Sequence, residues 1–203
     1  MEVFSGREER GELSLTIPYG YIDGKKEMSE TARLTQPAKT VAGGNQMAPG
    51  TVVSIHITPT AGAPVSSVKE VRAVPGKGLE GDRYFDGTGT FSTELPQPDH
   101  ELTLVEIEKL EDLKREQGVE IAPGDTRRNI VTRGVSLNDL VGKEVRIGEV
   151  RIRGLRLCEP CNHLAKLLNE RKVLYGLVHK CGLRAQILTG GIIHIGDAIE
   201  VES

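Results

Sequence analysis

The sequence predicts a mainly β, α+β fold in which short strands close into a barrel that carries two or three short helices. Three observations predict it. Apolar residues recur at alternate positions in many short runs of Val, Ile and Leu, the pattern of half-buried strands. The 24 glycines and 10 prolines separate those runs with tight turns. Helical spacing is confined to a few brief stretches, and numerous short strands hide their edges most completely by closing on themselves.

Residues 1–48 are compositionally apart, with two strand-like pieces at 13–17 and 19–22. They read as an N-terminal extension, either a flexible arm or a stretch upstream of an alternative start at Met47, with a docked hairpin as the other possibility. Residues 49–203 read as the folded domain. Val53, Ile55 and Ile57 alternate with Ser54 and His56 in an opening strand that Pro59 ends. A second run over 65–74, holding Val68, Val71 and Val74, makes a hairpin-like start before Pro75-Gly76-Lys77-Gly78 turns the chain. Beyond a Gly-, Thr- and Pro-rich loop at 86–99, Leu104, Ile107, Leu110 and Leu113 have helical spacing, and Gly118 ends the helix.

A short strand follows at 129–132, then a helical turn at 137–140 and a break at Gly142. Val145 and Ile147 alternate in one strand and Val150, Ile152, Leu155 and Leu157 in the next, with the turn at Gly148 or Glu149. Residues 163–172 place Leu164, Leu167 and Leu168 on one face of a short amphipathic helix. Residues 173–178 and 184–189 read as strands, and Ile192 to Val201 as the last, broken at Gly196-Asp197.

A chain of 203 residues has room for one domain with a real core. A net charge of −3 leaves no broad basic field, so nucleic acid is not expected as the main partner. The N-terminal residues lack a secretory apolar stretch and no run approaches the ~20 apolar residues that cross a bilayer, so no membrane is expected and the chain reads as cytoplasmic. Three cysteines do not make a secreted disulfide framework; they read as reduced.

Cys158-Glu159-Pro160-Cys161 lies where apolar alternation stops and a helix begins. A thiol at such a junction is placed to ionise and to bind a soft metal, although the same residue also reads as a small buried hydrophobe. Cys158, Cys161, His163, His179 and Cys181 could between them supply zinc ligands, but only the first two have familiar spacing. Arg127-Arg128-Asn129 brings two guanidinium groups suited to phosphate or carbonyl groups. If the triplet is extended, Arg127 and Asn129 share a face and Arg128 points the other way, solvated or salt-bridged. Gly78-Leu79-Glu80-Gly81-Asp82-Arg83 offers a turn in which Asp82 orients the chain and Arg83 reaches an anion; Arg184, just after Gly182, is a further candidate.

In order and spacing these pieces resemble the MOSC domain, the C-terminal module of molybdenum cofactor sulfurase, over about residues 51–201. The likeness includes Leu140-Val141-Gly142-Lys143, Ile147-Gly148 and the closing segment from Gly191 to Asp197. It implies a MOSC-type β-barrel and molybdenum cofactor (molybdopterin), with Cys161 as catalytic residue and metal ligand. It also implies cofactor-binding roles for Arg83, Arg127 and Asn129, beside which Glu159, Pro160 and Arg184 are further candidates. Two activities are compatible with the resemblance: reduction of an N-hydroxylated small-molecule substrate with an electron-donor protein as partner, or persulfide carriage and cofactor delivery with a cysteine desulfurase as partner. A zinc-stapled binding domain is the third reading. Pro59-Thr60-Ala61-Gly62 stands where larger relatives carry a Pro-x-Lys-Ser stretch, and no pyridoxal-phosphate domain is present to mobilise sulfur.

Overall fold

The computed structural model describes residues 49–95 and 97–202; the extension expected over 1–48 lies outside the described residues. Eleven strands account for the architecture. β1 (Gly50–Ile57) pairs antiparallel with β2 (Ser66–Val68), as the hairpin-like opening predicts. The run expected as one strand over 65–74 is two, because β3 (Glu70–Val74) leaves for a small second sheet with β4 (Gly78–Leu79) and β10 (Gly191–His194).

The barrel closes through seven strands. β1 joins β11 (Ala198–Val201), then come β7 (Glu144–Ile147), β8 (Val150–Leu157), β9 (Leu183–Thr189), β5 (Leu102–Glu106) and β6 (Ile130–Arg133), which returns to β1. Every step of the ring is antiparallel except β5–β6. Closure leaves none of these seven with a free edge.

Two apolar cores result. Alternate residues such as Ile55, Leu102, Leu104, Ile152 and Leu183 fill the barrel. A second cluster lies between the other face of the wall and the helices α1 (Ile107–Gln117), α2 (Asn162–Leu168) and α3 (Val173–Gly176). Strand β1 serves both because it bulges between Val52 and Ser54: Val52 and Ile55 pack in the barrel, while Val53 packs against the helices.

Several local expectations are corrected by this packing. Leu104 belongs to β5, not to the helix after it: Leu102 and Leu104 have the period of two that a central strand requires, and α1 begins at Ile107. Gly118 does end α1, in the left-handed conformation at φ 68°. Residues 173–176 are a helical turn, not a strand, because Val173 and Leu177 must reach the second core from one face. In α2 the buried residues are Leu164 and Ala165, whereas Leu167 is exposed.

Two glycines permit the wall to close. A Cβ on Gly154 would lie 2.2 Å from the Leu140 carbonyl oxygen, and one on Gly182, at φ 114°, would lie 2.0 Å from that of Leu104. Gly182→Ala should therefore cost at least about 3 kcal/mol, combining left-handed strain with a backbone collision. Gly118→Ala, at φ 68° but with open space around its Cβ, should cost only about 1 kcal/mol. Equal shifts of the two variants' urea midpoints would contradict this account of β9.

Candidate functional site

At one end of the barrel the turn after β4 turns Asp82 inward. Gly81, at φ 81°, makes that turn possible. One carboxylate oxygen of Asp82 accepts from Thr58 N–H (3.3 Å), Arg83 Nη1 (3.1 Å) and Asn129 Nδ2 (3.3 Å), and the other accepts from Tyr84 N–H (3.1 Å). A buried charge needs such saturation, and Asp82 thereby fixes the direction of Arg83. Arg83 also donates its backbone N–H to the Thr58 carbonyl at 2.7 Å and stacks over Tyr84, 4.9 Å from the ring centroid.

Arg83 shares a narrow cleft with Arg127, Arg128, Arg184 and Cys161, so the structure unites the principal residues singled out in the sequence. Arg128 is the exception to that foresight. Arg127 is in the left-handed conformation, φ 63°, and breaks the alternation that would have sent its neighbour outward. Arg128 donates Nε to the Cys181 carbonyl (3.0 Å), Nη2 to Cys181 Sγ (3.0 Å) and Nη1 to the Thr126 carbonyl (3.1 Å). Arg127 donates to the Ala63 carbonyl.

Asn129 is in the predicted neighbourhood but not in the cleft. Its Oδ1 accepts from Thr103 Oγ1 (2.8 Å) and Thr103 N–H (3.3 Å), and its Nδ2 donates to the His56 carbonyl (3.2 Å) and Asp82. Its amide is thus spent inside the wall, where it braces Asp82. Glu159 faces His179, accepting from the backbone N–H at 2.8 Å and meeting Nδ1 at 2.6 Å; neither it nor Pro160 lines the cleft. Burial opposes its ionisation, but the His179 contacts prevail and hold its carboxyl below the ordinary range.

Cys161 caps α2 and is exposed, whereas Cys158 and Cys181 are buried. Burial pushes the Cys181 thiol up, against the pull of Arg128. Among the described residues no group of three His, Cys, Asp or Glu side chains could hold a metal, and His179 is turned to Glu159 instead of joining the cysteines. The zinc reading therefore loses its donor set. Nor, among the described residues, is any helix long and apolar enough to cross a membrane.

The electrostatics define what fits. Arg127, Arg128 and Arg184 donate to backbone carbonyls or to sulfur, and among the described residues none of the three forms an ion pair with a carboxylate. Burial first, then the Arg83 charge, lowers the Arg127 pKa. Arg184 Nε is buried without a hydrogen-bond partner among the described residues, while its Nη1 donates to the Asp99 carbonyl at 3.1 Å. Unmatched forked donors beside an exposed thiol suit an anion with phosphate and carbonyl oxygens and a soft metal.

Tyr84 and His100, both missed from the sequence, line the same cleft and pack with ring centroids 5.3 Å apart. Tyr84 follows the Asp-Arg pair directly, and that was the available signal. Phe91 also lines the cleft, meeting His163 edge-on at 5.7 Å, and the cleft has a volume of about 50 Å³.

Burial lowers the pKa of His56 and of His100 from 6.5. The unfolded chain then binds more protons than the native one below pH 6.5, so these groups support stability at neutral pH and withdraw it on acidification. Unfolding free energies measured between about pH 7 and 5 should fall less steeply in the His56→Gln/His100→Gln double variant than in the parent. Removing the buried carboxylate in Asp82→Ala should cost about 3–5 kcal/mol and leave Arg83 unpaired; a urea midpoint unchanged from the parent would show that Asp82 does not organise the site.

Comparison with known proteins gives a consistent picture. The family model for the MOSC domain matches residues 79–200. The structure of YuaD from Bacillus subtilis superimposes with a TM-score of 0.64 at 18% identity, covering 76% of this chain and 96% of that one. YiiM from Geobacillus stearothermophilus gives 0.59 at 15% identity, covering 76% of each chain. YiiM from Escherichia coli gives 0.55 at 20% identity, covering 77% of this chain and 69% of that one. At these identities the structural likeness shows the fold. No curated protein matches the chain.

Proposed function

This chain belongs to the MOSC domain family, and from that membership we propose that its arginine-lined cleft holds molybdenum cofactor. The observation that carries the reading is the meeting of Arg83, Arg127, Arg128 and Arg184 at an exposed Cys161, three of the four without carboxylate partners among the described residues. Arg127 and Arg184 would hold the phosphate and pterin oxygens, and Cys161 would ligate the metal. When bound, the cofactor supplies a two-electron redox centre suited to reducing N-hydroxylated compounds with electrons from a partner protein.

The chain's own residues prepare that site. Asp82 holds Arg83 through Nη1, so its charge is already positioned when an anion arrives. Arg128 bonds the start of β6 to the loop before β9 and presents its remaining N–H groups beside Cys161. Burial lowers the His100 pKa and so favours its uncharged ring beside the arginines. Phe91 and Thr90 line the cleft, and a ligand of pterin size needs more room than they leave.

The narrowness of the cleft favours a second reading, in which Cys161 carries a persulfide supplied by a cysteine desulfurase. A terminal sulfur needs far less room than a pterin. Its negative charge would be held by the same guanidinium groups.

Protein purified from a molybdenum-replete host separates the two. Under the first reading it carries molybdenum and pterin in near-equal amounts. Cys161→Ser should then lose the metal, Arg127→Ala and Arg184→Ala should weaken pterin retention about tenfold or more, and Cys158→Ser should retain both. Cyanide-releasable sulfur on Cys161 without pterin would establish the carrier and overturn the cofactor reading.

A further inference from the structure

A second cavity opens beside the arginine cleft, among the β3–β4 turn, the loop after β4 and the helical turn Pro98–His100. Its volume is about 260 Å³, just under the ~300 Å³ at which ordinary ligand pockets begin, so it suits a small molecule. Tyr84 and His100 line both spaces. Cys161 and the four arginines line only the cleft, and the two spaces therefore differ in charge. Around the second cavity stand Lys77, Glu94 and Glu101, one ammonium against two carboxylates.

Glu101 sets its character. The residue is only 7% exposed, yet it lines the cavity. Its Oε2 accepts from the backbone N–H groups of Ile187 (2.9 Å) and Gly76 (3.3 Å), which ties β9 to the β3–β4 turn. Among the described residues Oε1 accepts from no donor, and it is not one of the polar atoms sealed from solvent. Burial raises the pKa of this carboxyl, opposed by those two backbone hydrogen bonds and by no neighbouring cation. Bracing two segments needs only a carbonyl oxygen, whereas a buried carboxylate without a counter-charge is costly. The strut therefore leaves the charge itself unexplained.

We propose that this cavity binds a small organic amine, with its protonated nitrogen on Glu101 Oε1 and its apolar or aromatic body against Tyr84 and Phe85. An ammonium group supplies both the missing charge and the missing donor. The walls already accept such a group: the Lys77 ammonium lies 5.2 Å from the Phe85 ring centroid. A divalent metal finds too few ligands, since among the described residues no three His, Cys, Asp or Glu side chains converge. Burial favours the uncharged ring of His100, which leaves the carboxylate to the ligand. An amine held here lies alongside whatever occupies the cleft, and the inference does not depend on which occupant that is.

Calorimetric titration of the full-length protein with phenethylamine, set against 2-phenylethanol, provides the test. The amine should bind once per chain and at least about tenfold more tightly than the uncharged alcohol. Glu101→Gln keeps an amide oxygen for Ile187 and Gly76, so it should retain the parent's urea midpoint while losing the preference for the amine. Phe85→Ala should weaken amine binding about threefold to tenfold. No saturable binding of phenethylamine, equal binding of the alcohol, or an undiminished preference in Glu101→Gln would overturn the proposal. Should Glu101→Gln not fold, Phe85→Ala decides, because an amine affinity equal to the parent's overturns the assignment to this cavity.

Discussion

Positive charge gathered in one place, with too few negative partners, is the constraint that organises this protein's end of the barrel. Asp82 is the one buried carboxylate among the contacts of Arg83, and it is already divided among four donors. Arg127, Arg128 and Arg184 are held by neutral acceptors, which fix their directions without cancelling their charge. Guanidinium groups remain charged under all ordinary conditions, so the imbalance cannot be relieved by deprotonation as it could be for lysine.

The barrel makes that imbalance tolerable. Each arginine is anchored on or beside a different segment of the wall: Arg83 after β4, Arg127 and Arg128 before β6, Arg184 within β9. Closure prevents those segments from separating, and the two apolar cores on either face of the wall supply the favourable burial that repulsion at the cleft opposes. Asn129 shows how far the arrangement is built from within. It was a candidate ligand in the sequence, and its amide joins β5, β1 and the Asp82 carboxylate.

Local readings failed where a residue served a distant neighbour. Leu104 fits a helical spacing with Ile107 and Leu110, but it fills the barrel as part of β5. Residues 173–176 look like a strand because Val and Leu favour one, yet the second core needs Val173 and Leu177 on one side. Arg128 was directed outward by strand alternation, and a non-glycine residue in the left-handed region at position 127 reversed it. That conformation has no local signature when the residue is arginine.

The order of alternating runs, the turn glycines and the chemistry of individual residues were decided by the sequence alone: short strands, a helix ended by Gly118, a thiol after a strand, and arginines suited to oxyanions. These properties depend on nearest neighbours and periodicity. Which arginines share a cleft, which cysteine is exposed, and whether His179 faces a metal or Glu159 were decided only by the tertiary structure. Such pairings join residues tens of positions apart, and their geometry follows from strand register and barrel closure, to which no single segment holds the information.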